Sequence, residues 1–210
     1  MQRSDLKELH YITHIQNVPD ILKYGILSYN RVRKGIRDGT LHPVSVSDRD
    51  VHRRRERKRA PNGRLLHDYA NLYFCARNPM LCRLRMTKHL HEKLCVLRVA
   101  PSVLDIKGAV ISDRNAACAS AHFYPSPEGL VHLDPKKIFA RVWYHPLYKE
   151  AAKEYKFAKY AELLVPDVVP ASYILGAYVA CQTAGDMLQA MAPQLSIEID
   201  PELFFVWKQT

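Results

Sequence analysis

The chain has 210 residues, with 31 Lys or Arg against 21 Asp or Glu and a net charge of +10. Its pI is near 9.4. That length supports one domain with a real hydrophobic core, and the charge favours an anionic partner, most often nucleic acid. A membrane ranks well below it, because no basic amphipathic helix with a bulky apolar face is visible, and the apolar stretch "VVPASYILGAYVAC" is short and broken by Pro170.

"LHYITHI" (residues 9–15) reads as a first strand. "NVPDILKYG" reads as a short helix, capped by Asn17, with Pro19 in its first turn and Gly25 ending it in a left-handed conformation. "ILS" then turns into a polar loop. In "SVSDRDVHRRRERKR" (residues 45–59), Ser47 with Asp50 resembles a capping box, which predicts a helix start. Val51 is its one clear apolar residue, so packing does not explain it. It is either a solvated basic segment or one that orders on a polyanion through Arg53, Arg54, Arg55, Arg57, Lys58 and Arg59.

"NLYFCARNPML" predicts a strand over residues 72–75, then a helix capped by Asn78 and started by Pro79. "LCVLRVA" is a buried strand. "AVISDRNAACASAHFYPSPEGL" is a strand end followed by a long polar loop. "KIFARVWYH" reads as a strand, "PLYKEAAKEYKFAK" as a helix, "AELLVP" and "SYILGAYVAC" as strands, "TAGDMLQAMAPQ" as a helix, and "LSIEI" and "LFFVW" as the last strands. Strands and helices mix without a regular βαβ rhythm, which argues for α+β with a mixed sheet. With no repeat and no low-complexity linker, residues 1–210 read as one domain.

The five cysteines are odd in number and lack metal-ligand spacing, as expected of reduced thiols in a cytoplasmic protein. The N-terminus lacks the apolar run of a signal peptide. There is no Gly-rich phosphate loop, no GxGxxG, no GxSxG and no HExxH. His89 and His91 in "KHLHEK" have no later partner to complete a zinc set, so no metal is expected. In "KYAELLVPD", alternation puts Ala161, Leu163 and Val165 on one strand face and Tyr160, Glu162 and Leu164 on the other. Glu162 either points at water from a strand end or is a catalytic acid held in a cleft.

Four segments in order, "HYITHIQNVPDILKYGILS", "HDYANLYFCARNPML", "ISDRNAACASAHFYPSPEGL" and "KYAELLVPD", resemble the DarT family over nearly the whole chain. That family is the toxin half of the DarT–DarG toxin–antitoxin systems. The resemblance implies an ADP-ribosyltransferase-like mixed sheet with peripheral helices, and a toxin that transfers ADP-ribose from NAD⁺ onto thymine or guanine of single-stranded DNA. NAD⁺ is then the co-substrate and a DarG-type antitoxin a partner. It implies Glu162 as the catalytic acid, holding the ribose 2′-hydroxyl and stabilising an oxocarbenium-like centre. Arg54, or failing that Arg55, would meet the NAD⁺ phosphates or the reacting base. Tyr11, Ile12, Thr13, Asp20, Ser28 and Tyr73 would line the NAD⁺ pocket, with Tyr73 stacking on nicotinamide or serving as a core tyrosine. Arg53, Arg55, Arg77, Asn78, Met80, Asn115, Phe123 and Tyr124 would meet DNA, and His122 would assist proton transfer. Two other readings are a non-catalytic nucleic-acid-binding module and an ADP-ribosyltransferase acting on RNA or protein.

Overall fold

The run Leu163, Leu164, Val165 is apolar at successive positions, so a strand there must bury both faces. It does: all three are fully buried, on an interior strand of an eight-stranded sheet. The structure, a computed structural model, describes residues 1–46, 49–88, 90–143 and 149–206. In chain order its elements are β1 (Leu9–His14), α1 (Val18–Tyr24), β2 (Ile26–Leu27), α2 (Tyr29–Arg37), α3 (Arg49–Glu56), β3 (Tyr69–Tyr73) and α4 (Pro79–Lys88). There follow β4 (Leu94–Val99), β5 (Val110–Ser112), β6 (Phe123–Pro125), α5 (Pro135–Ile138), α6 (Lys149–Ala158), β7 (Glu162–Pro166), β8 (Val168–Val169), β9 (Ile174–Val179), α7 (Gln182–Met191) and β10 (Ile197–Ile199).

The sheet order is β10-β9-β4-β1-β3-β7-β5-β6, and β2 pairs separately with β8. Within the large sheet only β10 and β9 run parallel, so the sheet is mixed and the fold is α+β. One face carries the main core, where Leu72, Phe74, Leu97, Leu163 and Val165 pack with Val18 and Ile21 of α1 and Leu188 of α7. The other face carries two smaller apolar clusters. Ile12, Tyr73, Leu81, Val96 and Phe204 form one; Leu66, Tyr69, Val110, Ala116 and Leu164 form the other. Glu162 lies on this second face, between them. Further along the same face, Glu8 accepts bonds from Arg98 (2.7 Å) and Tyr178 (2.7 Å) and lies 3.2 Å from His10 Nε2. Burial pushes the Glu8 carboxyl up, but these partners outweigh it and bring it down to about 2.

Several expected elements differ. The polar loop after "ILS" is helix α2, with the Ser28 hydroxyl accepting from the Arg31 N–H at 3.4 Å. Tyr29, Val32 and Ile36 give it one short apolar face, but none of its residues is buried. The expected strand over residues 137–145 is absent as far as residue 143; Asp134 instead caps α5 by accepting from the Lys136 and Lys137 N–H groups. Residues 144 and 145 lie outside the described residues. "LFFVW" is a series of turns through Val206, closed by Phe204 N–H and Val206 N–H donating to Pro201 O, and Trp207 lies outside the described residues. Phe204 and Phe205 are buried without any strand.

Asn17 does not cap α1 with its side chain. Its amide instead donates to Thr13 Oγ1 (3.1 Å) and Val44 O (2.9 Å) and accepts from Val44 N (2.8 Å), tying the segment after α2 to β1. Gly25 is left-handed as expected, with φ of 83°. Asn78 caps α4, accepting from Met80 N and Leu81 N. The basic segment is helical as α3, but Ser47 of its expected capping box lies outside the described residues. His89 also lies outside them.

Candidate active site

In an antiparallel pair, residues in register project to the same face of the sheet. Glu162 is in register with Tyr73 on one side and Ser112 on the other, and Tyr73 is in register with His10. Ser112, Glu162, Tyr73 and His10 thus form a polar row across four adjacent strands. Glu162 sits at the start of β7 and is fully buried, so it does not point at water from a strand end.

A buried carboxylate needs a counter-charge. It comes from α3, which packs over this face: Arg55 Nη1 donates to Glu162 Oε2 at 2.9 Å. Both side chains are buried, at 8% and 0% exposure. Burial pushes the Glu162 carboxyl above its ordinary range, opposed by Arg55, by the backbone N–H of Ala116 and by the Lys58 ammonium. The pair uses one nitrogen and one oxygen. Arg55 Nη2 and Glu162 Oε1 are both buried and lack partners within the protein. An orphaned donor beside an orphaned acceptor is costly unless a ligand completes them. Beside the pair, Tyr73 is buried, its hydroxyl donates to Met80 Sδ at 3.1 Å, and burial holds its phenol well above the usual range.

α3 explains itself from this geometry. His52 and Arg55, and Lys58 just beyond its end, recur every third residue and turn inward, while Arg53, Arg54 and the following Arg57 are exposed. The inner face of the segment is polar because it meets a site and not a core. Beside it lies a cavity of about 360 Å³, lined by residues that include Tyr29, Asn30, Arg33, His52, Arg53 and His67. The Tyr29 ring lies 4.3 Å from His52 and 4.2 Å from His67, centroid to centroid. Burial, with His52 and Arg55 nearby, brings His67 down to about 4, and its buried Nε2 has no partner. Sequence reasoning missed Tyr29, His52 and His67, since no spacing links them across three elements.

The structure brings Arg55, rather than Arg54, to Glu162. Ile12 shares the Glu162 face, in contact with Tyr73's cluster, whereas Tyr11 packs on the opposite face with the main core. Thr13 is buried and takes the Asn17 amide, and Asp20 lies in the first turn of α1. Ser28 is buried at the α2 cap. Arg77, Asn78 and Met80 are all engaged within the protein, with Arg77 and Met80 partly exposed. Arg77 donates to Arg141 O (2.7 Å) and Glu202 O (3.2 Å) and covers the Phe205 ring, Asn78 is buried in its capping bonds, and Met80 takes the Tyr73 hydroxyl.

The expected long loop is shorter and tied. Asp113 at its neck accepts from His122 N (3.0 Å) and lies 3.2 Å from His122 Nδ1, and His122 is exposed. Asn115 turns the chain by accepting from Ala117 N. Phe123 and Tyr124 belong to β6, with Tyr124 stacked on His132 at 4.1 Å. Among the described residues no group of His, Cys, Asp or Glu is suited to hold a metal ion, and no helix is long and apolar enough to cross a membrane.

The mixed sheet with Glu162 buried in it is the frame that the sequence resemblance implies; the pairing of Glu162 with Arg55 goes beyond that expectation. The model of the family described as DarT, ssDNA thymidine ADP-ribosyltransferase, matches residues 10–205. The chain therefore belongs to the DarT family. It is 31% identical to a DNA ADP-ribosyl transferase–DNA ADP-ribosyl glycohydrolase fusion protein of Thermosipho africanus, over 95% of this chain and 50% of that one. It is 30% identical to a DNA ADP-ribosyl transferase of Thermus sp., over 85% of this chain and 83% of the relative. The chain thus spans about half the length of the first of these relatives and most of the second. Thermosipho africanus DarTG, solved with ADP-ribose, superposes with a TM-score of 0.82 at 28% identity, covering 96% of this chain and 52% of that one. Thermus sp. DarT, solved with ADP-ribosylated ssDNA, superposes at 0.77 with 26% identity, over 93% and 95% of the two chains. The same enzyme solved with NAD⁺ gives 0.73 at 26% identity, over 93% and 96%.

Proposed function

We propose that this chain is an NAD⁺-dependent transferase that places ADP-ribose on a base of single-stranded DNA, with thymine as the base. The observation that carries the reading is the buried Glu162–Arg55 pair, with one partnerless atom on each side chain. A binding module gains nothing from such a pair, whereas a transferase needs an acceptor and a donor at one reacting centre. Glu162 Oε1 accepts the 2′-hydroxyl of the nicotinamide ribose. The C1′–nicotinamide bond breaks, nicotinamide leaves with the electron pair, and the carboxylate stabilises the cationic ribose. A ring nitrogen of the base bonds to C1′, and its proton passes to the Glu162 carboxylate, whose basicity burial raises. Arg55 Nη2 donates to the substrate and holds the carboxylate in place.

The cavity beside α3 suits the adenosine diphosphate half of NAD⁺. Tyr29, His52 and His67 offer ring faces for adenine, and Arg33 offers charge for the pyrophosphate. Exposed Arg53, Arg54 and Arg57 give the DNA its phosphate contacts. The names of the relatives support this reading, since the Thermus sp. enzyme was solved with NAD⁺ and with ADP-ribosylated ssDNA. The Thermosipho africanus relative joins transferase and glycohydrolase in one chain, which supports a DarG-type glycohydrolase antitoxin as partner. A DNA substrate and an NAD⁺ co-substrate together suit a cytoplasmic setting. Nicotinamide release tests the reading. Release from NAD⁺ that depends on single-stranded DNA and not on RNA of the same sequence is the expected result; RNA-dependent release would move the substrate to RNA.

A further inference from the structure

We propose that Lys58 is a positioning residue, a latch that holds the turn at residues 115–118 against Glu162. The inference rests on the transferase reading above. Six cations fill the basic segment, and a phosphate footprint would turn all of them outward. Lys58 turns inward instead. Its ammonium donates to Cys118 O and lies 5.4 Å above the Phe123 ring. It thereby joins the segment that follows α3 to the loop between β5 and β6 and to the start of β6.

That loop is well tied at its neck. Asp113 N donates to His122 O and His122 N donates back to Asp113 Oδ1. Its far end is held by a tight turn, in which Cys118 N donates to Asn115 O at 2.8 Å and Ala117 N to Asn115 Oδ1 at 2.8 Å. Ala116 sits inside this turn, is fully buried, and packs in the cluster that holds Leu164, on the same strand face as Glu162. Lys58 grips the last carbonyl of that same turn. Lys58 is also anchored from behind, since its own carbonyl accepts from Leu66 N and its N–H donates to Arg55 O. Arg55 and Lys58 therefore form one rigid strut, with Arg55 reaching the carboxylate directly and Lys58 holding the turn that packs beside it.

A latch of this kind sets where the carboxylate points and not how tightly NAD⁺ binds. The test compares wild type, Lys58→Met and Lys58→Arg in DNA-dependent nicotinamide release, alongside amide hydrogen exchange at residues 115–118. Loss of positioning alone is expected to lower kcat of Lys58→Met by roughly 30-fold, with KM for NAD⁺ within about threefold. Lys58→Arg, which keeps the donor, recovers most of the rate. The amides of Ala116 to Cys118 exchange faster, by about tenfold or more, in Lys58→Met. Should Lys58→Met not fold, Lys58→Gln is measured the same way. An unchanged kcat overturns the latch, as does a rise in KM alone with exchange unaltered, which would make Lys58 a direct substrate cation. If wild type itself transfers nothing, the transferase reading fails. The exchange data then still decide the latch, which stands if the turn loosens and falls if it does not.

Discussion

Glu162 and Arg55 answer to each other more than to any other residue. Removing Arg55 leaves a buried carboxylate without its counter-charge. Arg55→Ala is expected to abolish nicotinamide release and to lower stability by about 3 kcal/mol in urea unfolding. Arg54 projects outward one residue earlier, so Arg54→Ala is expected to raise KM for DNA while leaving KM for NAD⁺ unchanged. Equal loss of NAD⁺ turnover in the two variants would contradict the assignment of the inward arginine. Sequence alone left Arg54 and Arg55 as alternatives, because adjacent residues differ by 100° on a helix and only the docked orientation separates them. Glu162 was legible as an odd acid in an apolar run, and its role came from the family resemblance. Its burial was not legible, since that depends on α3 lying over the sheet.

At the scale of elements, the strands with apolar periodicity were readable, and β1, β4, β7 and β9 fall where the pattern puts them. The elements that escaped are those whose order comes from polar contacts. α2 carries only the short stripe of Tyr29, Val32 and Ile36 and buries none of its residues, and α3 turns His52 and Arg55 inward, so its inner face shows no apolar stripe. Asn17 looked like a cap and proved to be a tie across to Val44. Asn17→Ala is expected to cost about 1–2 kcal/mol and to speed amide exchange at Val44; unchanged exchange there would show the tie to be idle. The Glu8 cluster binds β1 to β4 and β9. Its carboxyl lies at about 2 against an ordinary 4.5, so the stability it adds is present above about 4.5 and is lost as pH falls through 2. Glu8→Gln is accordingly expected to cost about 2 kcal/mol at neutral pH, a gap that closes below pH 4 in urea titrations. A gap that persists unchanged at acid pH would mean that packing, and not charge, holds the cluster.

At the scale of the whole molecule, the charge of +10 has two uses. Inward cations build the site, and outward ones give the surface its affinity for polyanions. Changing Arg53, Arg54 and Arg57 together to Gln is expected to reduce the slope of log affinity for single-stranded DNA against log salt by about 2, at roughly 0.7 per cation. KM for NAD⁺ in the absence of competing salt should move far less. An unaltered slope would place the DNA path elsewhere on the surface. The central claim, however, is covalent transfer by Glu162, and an intact mass spectrum tests it most directly. The protein is incubated with NAD⁺ and a mixed-sequence single-stranded DNA oligonucleotide, with Glu162→Gln as the control. The expected result is an oligonucleotide heavier by one ADP-ribose, fragmenting to a modified thymidine, and no adduct with Glu162→Gln. An adduct formed equally by Glu162→Gln, or NAD⁺ left intact by the wild type, would contradict the account.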